Sequence, residues 1–269
     1  DEAADAARTG TELGASDGGV VAALVGADLG LSEEAATKGD ERAKGSKGAK
    51  GDKDAKDDER AEKDSGTKDD TPKDDTSKEK DRAEAPAPGA VKVNGSTFAP
   101  DGDGLLVPAG DTITAIGDSL VVTSADGLTY RFPGINYVAK SNRQWRDAGP
   151  VVDQALEEGW VRDNVVLHLG TNAGVDEDAL RATLEELGPD RNVVVMNLFV
   201  NASFTDSSNA AIEKVVADYP NAVVGDWHGT ISKRPQDLQA DHVHPDMDGM
   251  HVYAGVVARA FDELADRAG

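Results

Sequence analysis

The chain has 269 residues, of which 4% are aromatic, 51 are acidic, 28 are basic and none is cysteine. The lack of cysteine excludes disulfides, thiol nucleophiles and cysteine metal sites. Charge is unevenly spread: residues 38–85 carry 14 Lys/Arg and 16 Asp/Glu, whereas residues 86–269 carry 13 basic and 27 acidic side chains, so the second region lacks the clustered cations that nucleic-acid binding needs.

Residues 1–37 are acidic and rich in Gly and Ala, and are expected to be poorly ordered apart from a short helix over 31–37 opened by Ser32, Glu33 and Glu34. The apolar run at 19–27 is far short of the roughly 20 residues that span a bilayer, so no membrane anchor is expected in this chain. A start at Asp1 instead of methionine fits a fragment whose missing N-terminal part holds the targeting information. Residues 38–86 have almost no large apolar side chain and cannot bury enough surface to offset chain entropy, which predicts a disordered, charged linker. The folded domain is expected over 87–269. It opens with Val91-Lys92-Val93-Asn94-Gly95-Ser96-Thr97-Phe98, whose alternation around Asn-Gly predicts a hairpin.

From Thr112 onward, short apolar runs alternate with longer amphipathic segments. Strands are expected at 113–116, 135–138, 164–169, 192–198 and 222–225, and helices at 149–158, 176–187, 206–219 and 247–265. Asp176 is an N-cap candidate and Gly188-Pro189 a stop. The pattern predicts an α/β fold: a doubly wound parallel sheet of about five strands with helices on both faces.

Such sheets bind ligands beyond the carboxyl ends of their strands. Ser119 follows the first of these strands, Asn172 the third, and Asp241 and His244 lie after the fifth, so all fall on one edge. A serine needs a base to act as a nucleophile. The Asp-x-x-His spacing lets one loop present a histidine base and the carboxylate that orients it.

These segments carry a resemblance. Gly117-Asp118-Ser119-Leu120, Gly170-Thr171-Asn172-Ala173 and Asp241-His242-Val243-His244 resemble the blocks of SGNH (GDSL-type) hydrolases over roughly residues 112–265. The resemblance implies that Ser119 is the nucleophile, His244 its base and Asp241 the residue orienting the base. Asn172 and the Ser119 N–H would then hold the oxyanion. The family's second block offers an oxyanion-hole glycine. Here Gly134 falls before the strand, so a backbone N–H at Ser141 or Asn142 must serve, and Ala173 replaces the usual aspartate after the asparagine.

The pattern Phe132-Pro133-Gly134, a strand, then Ala139-Lys140 and Arg143-Gln144, followed by Gly170-Thr171-Asn172-x-Gly174, resembles the extracytoplasmic domains of bacterial acyltransferase family 3 proteins, among them peptidoglycan O-acetyltransferases. That resemblance implies a serine O-acetyltransferase in the cell envelope. A membrane domain of the same protein would deliver the acetyl group, the charged linker would be the tether, and the acceptor would be an envelope glycan or glycolipid hydroxyl. Arg143, Gln144 and Trp145 are the acceptor-binding candidates. No cofactor or metal is implied.

Plainer readings stand beside these. His242 rivals His244 as the base, the loop 241–248 is rich enough in Asp and His to be considered as a metal site, and His168 fits a core histidine. Arg143 suits a carboxylate partner as well as an acceptor, and Trp145, Trp160 and Trp227 suit the core. An esterase would use the same residues with water as acceptor, and a glycan-binding module without activity would leave them idle.

Overall fold

The computed structural model describes residues 87–268. The expected N-terminal segment 1–37, with its helix at 31–37, and the charged linker 38–86 lie outside the described residues.

The fold begins with three antiparallel strands, β1 (Val91–Val93), β2 (Ser96–Pro100) and β3 (Leu106–Pro108). Asn94 and Gly95 have φ of 45° and 82°, so the expected hairpin closes through a two-residue turn that needs left-handed backbone at both positions. The third strand has no sequence signal of its own. Pairing with β2 places it, and the Asp262 carboxylate accepts its Leu106 N–H at 2.7 Å.

Five parallel strands follow: β4 (Ile113–Gly117), β5 (Asn136–Ala139), β6 (Asn164–His168), β7 (Asn192–Met196) and β8 (Ala222–Gly225), in the order β5-β4-β6-β7-β8. The helices are α1 (Ser119–Thr123), α2 (Ala125–Arg131), α3 (Ala148–Glu157), α4 (Glu177–Leu187), α5 (Thr205–Val216), α6 (Trp227–Ile231) and α7 (Met247–Ala268). This is the doubly wound α/β architecture the pattern predicts. Residues 197–198 and 169 leave the sheet and form loops, so β7 and β6 end earlier than expected.

Strand period sorts the buried side chains to two faces. Val165, Leu167, Val193 and Val195 pack under α3, α4 and α5 with Val152, Leu184 and Ile212. Val166, Val194 and Val223 pack on the other face with Leu120, Leu128, Trp227 and Phe261. The ring of Phe261 on α7 meets Phe98 at 5.9 Å and Phe132 at 6.2 Å, each edge to face, so one helix joins the hairpin to the end of α2. Truncating such a fully buried ring to alanine costs about 3–5 kcal/mol.

Polar side chains close the edge where the strands begin. Asn94 donates to Asn192 at 3.0 Å, Asn192 to Asn164 at 2.9 Å, and Asn164 to the Thr112 hydroxyl at 2.9 Å. Arg162 donates to the carbonyls of Gly134 at 2.6 Å and Ile113 at 3.2 Å. At the opposite edge the strand order reverses between β4 and β6, which is the switch point where ligands bind in such sheets. Among the described residues no helix is long and apolar enough to cross a membrane.

Candidate active site

Register brings Gly117 level with Ala139 on one side and His168 on the other. A Cβ on Gly117 would lie 2.3 Å from Val121 Cγ2 and 2.6 Å from the His168 carbonyl oxygen, so only glycine lets the chain turn there. Ser119 follows as the first residue of α1. Its N–H stands ahead of the helical ladder, and its side chain is held at the switch point.

The partner loop folds upon Asp241. One carboxylate oxygen accepts the N–H groups of Val243 at 2.9 Å and His244 at 3.0 Å, and the other meets His244 Nδ1 at 2.7 Å. His242 takes φ of 57°, which lets the loop double back so that Leu238 bridges to Pro245. His244 Nε2 then lies 2.8 Å from Ser119 Oγ. His244, and not His242, is thus the histidine brought to the serine. Partial burial pushes the Asp241 carboxyl up. The His244 ring and the two backbone N–H groups outweigh it and hold the carboxyl below its ordinary range.

Asn172 is exposed, and its Nδ2 donates to the Arg143 carbonyl at 3.3 Å. An amide nitrogen carries two hydrogens, so one remains for a ligand. Ser141 and Asn142 occupy a tight turn off the end of β5, where Lys140 N–H reaches the Gly117 carbonyl at 3.1 Å and Asn142 has φ of 65°. The three loops that follow β4, β5 and β6 therefore meet around Ser119.

Two acceptor-binding expectations are corrected. Arg143 is 5% exposed, and its guanidinium donates to the carbonyls of Val138 at 2.6 Å and Gly117 at 3.3 Å, so it clamps the ends of β4 and β5 from inside. Trp145 is 3% exposed, its indole N–H donates to the Leu169 carbonyl at 3.1 Å, and it packs in the core under α3. Both side chains face inward because strand ends leave carbonyls that must be paired when buried. Gln144 is half-buried, with its backbone N–H on the Asp147 carboxylate at 3.0 Å.

Sequence reading gave Asp118 no role, yet its carboxylate is fully buried beside the serine. It accepts Leu120 N–H at 3.0 Å and Thr171 N–H at 3.2 Å. Burial pushes it up to about 6, against the pull of those donors and of His244. The available signal was its place between Gly117 and Ser119, where a short acid caps the next turn. His168 is a core residue: Nδ1 lies 2.8 Å from the Tyr253 hydroxyl, the two rings stack, and burial lowers it to about 3, which keeps it neutral. Among the described residues no group of three or more His, Asp or Glu could hold a metal ion.

An α/β domain with serine, histidine and aspartate in hydrogen-bonded sequence at a sheet switch point defines the class. No family model and no curated protein matches this sequence. Among solved structures, the C-terminal catalytic domain of peptidoglycan O-acetyltransferase A from Streptococcus pneumoniae, carrying a methylsulfonyl adduct, is similar with a TM-score of 0.52 and 17% identity. The match covers 59% of this chain and 96% of that one. A lipolytic G-D-S-L protein from Veillonella parvula (TM-score 0.45, 16% identity, 55% and 97% covered) and a carbohydrate esterase of family 3 from Talaromyces cellulolyticus (0.44, 17%, 57% and 97%) are also similar. The first of these likenesses carries the fold: over the matched part, this chain shares the α/β fold of that catalytic domain.

Proposed function

We propose that this domain is a serine O-acetyltransferase of the cell envelope, passing an acetyl group through an acyl-Ser119 to a glycan or glycolipid hydroxyl. The observation that carries the proposal is the continuous chain Asp241–His244–Ser119, with contacts of 2.7 and 2.8 Å. A histidine so placed takes the hydroxyl proton as Ser119 Oγ attacks the acyl carbonyl carbon, and Asp241 fixes its tautomer and stabilises the imidazolium. The tetrahedral oxyanion is held by the Ser119 N–H, the Asn172 amide and the backbone at Ser141 or Asn142. It collapses to acyl-Ser119 as His244 returns the proton to the leaving donor oxygen. The acceptor hydroxyl then loses its proton to His244 and attacks the acyl carbon, and Ser119 leaves with that proton. Gln144 is the remaining acceptor-binding candidate from the second block.

The similarity in fold to an O-acetyltransferase catalytic domain supports this reading. So does the charged composition of residues 38–85, which suits a tether to a membrane acyltransferase domain of the same protein that supplies the acetyl group. An esterase reading has one observation in its favour: the His244 and Asp241 side chains are 26% and 39% exposed, so water reaches the base. The deciding measurement follows acetate release and acetylated product together, from p-nitrophenyl acetate, with short peptidoglycan or glycolipid acceptors and Ser119→Ala as blank. Acetyl transfer that displaces slow hydrolysis is the expected result; rapid acetate release indifferent to acceptor would establish the esterase instead.

A further inference from the structure

Asp118 takes no part in the Asp241–His244–Ser119 chain, yet it is a fully buried carboxylate adjoining the serine. Its two oxygens serve two different loops. One accepts the Leu120 N–H in the first turn of α1, and the other accepts the Thr171 N–H, next to Asn172. Its own N–H donates to the His168 carbonyl at 3.0 Å. The nucleophile turn and the proposed oxyanion loop are thus joined through one side chain. An ionised carboxylate accepts strongly at both oxygens, whereas a protonated one loses acceptor capacity at the oxygen that carries the proton, which weakens the N–H bond made there.

We propose that Asp118 is a positioning residue that locks the Ser119 turn to the Asn172 loop only while its carboxylate is charged, giving the site a protonation-sensitive element outside the Asp241–His244–Ser119 chain. The proposal rests on Ser119 being the nucleophile. Among the titratable groups on the elements packed around Asp118, one changes charge during the reaction. From β6, His168 is kept neutral by burial; from α7, burial pushes the Tyr253 hydroxyl up; and from the turn after β5, the Arg143 guanidinium is fixed on the neighbouring Gly117 carbonyl. His244, from the loop before α7, is the group that gains a proton as Ser119 attacks, and its charge pulls the Asp118 carboxyl down against burial. Burial sets the carboxyl at about 6, so the lock opens within the mildly acidic range.

The test is the rate of Ser119 labelling by a fluorophosphonate on the whole chain between about pH 4.5 and 8.5, a reaction that needs no acceptor. A histidine base alone gives an acid limb with a log–log slope of one; the proposal expects the slope to approach two below about pH 6. Asp118→Asn, which cannot accept at both atoms, is expected to return the slope to one and lower the plateau by about 10²-fold through misplaced groups. A wild-type slope of one overturns the proposal without any variant, and so does an Asp118→Asn profile of unchanged slope. A wild type that labels at no pH overturns the assignment of Ser119 itself, and this proposal with it.

Discussion

At the edge where the parallel strands begin, Asn94, Asn192 and Asn164 bond one another and Arg162 is consumed by backbone carbonyls. At the edge where they end, Asp118 is buried as an acid pushed up to about 6, while Ser119, His244 and Asp241 bond in a line that reaches solvent. The first arrangement matches the donors and acceptors of neutral amides, which makes a hairpin part of the core, and its cation Arg162 gives hydrogens to carbonyls while burial lowers it. The second combines a carboxyl that burial pushes up, Asp118, with one that its hydrogen-bond donors hold down, Asp241. The contrast separates parts built for stability from parts built for chemistry, and each can be altered alone.

The largest effect expected at the reactive edge is that of Ser119→Ala, which should lower acyl turnover on the order of 10⁶-fold with the melting temperature little changed. Steady-state kinetics and thermal melts on one preparation check both halves. Asn172→Ala should lower kcat by about 10²–10³-fold, the loss typical of one oxyanion donor. A fall confined to KM would show that Asn172 contacts only ground-state substrate. At the other edge, Asn192→Ala should cost about 1–3 kcal/mol of stability in denaturant titrations, because it strands the fully buried Asn164 and the Val93 carbonyl; turnover below the transition should stay at the wild-type value.

The smallest effect is a matter of pH. His168, lowered from 6.5 to about 3, contributes stability that is full above pH 6.5 and is lost as pH falls through about 3. Asp118, raised from 3.8 to about 6, has the opposite sign: its contribution is full below pH 3.8 and is lost as pH rises through about 6. The two oppose each other between about pH 4 and 6, so the melting temperature should be nearly flat there and fall below pH 4. Asp118→Asn should remove the plateau and give a continuous decline from about pH 6.5. A plateau that survives the substitution would show that other groups set the acid stability.

Much of this was legible beforehand because it depended on local periodicity. Runs such as Val193-Val194-Val195 specify a strand buried on both faces, and Asp176 with Gly188 mark the ends of α4, where Asp176 accepts two backbone N–H groups and Gly188 takes φ of 79°. The short helices α1, α2 and α6 were not legible, since five to seven residues carry too little amphipathic pattern to stand out. Arg143 and Trp145 left two readings open for a related reason: a cation and an indole after a strand look the same in sequence whether they face a ligand or the ends of the sheet, and for Trp145 the core reading holds.

Local pattern was enough for the fold class, the order of the strands along the chain and the three-residue step from Asp241 to His244. These follow from hydrophobic period and local hydrogen bonding, which act between near neighbours. Tertiary packing settles which edge residues turn inward, how His244, which the Asp-x-x-His spacing favours over His242, reaches Ser119 across 125 positions, and that Asp118 bridges two loops. Those outcomes depend on register between strands and on burial. Both are properties of segments distant in sequence, and no local pattern records them.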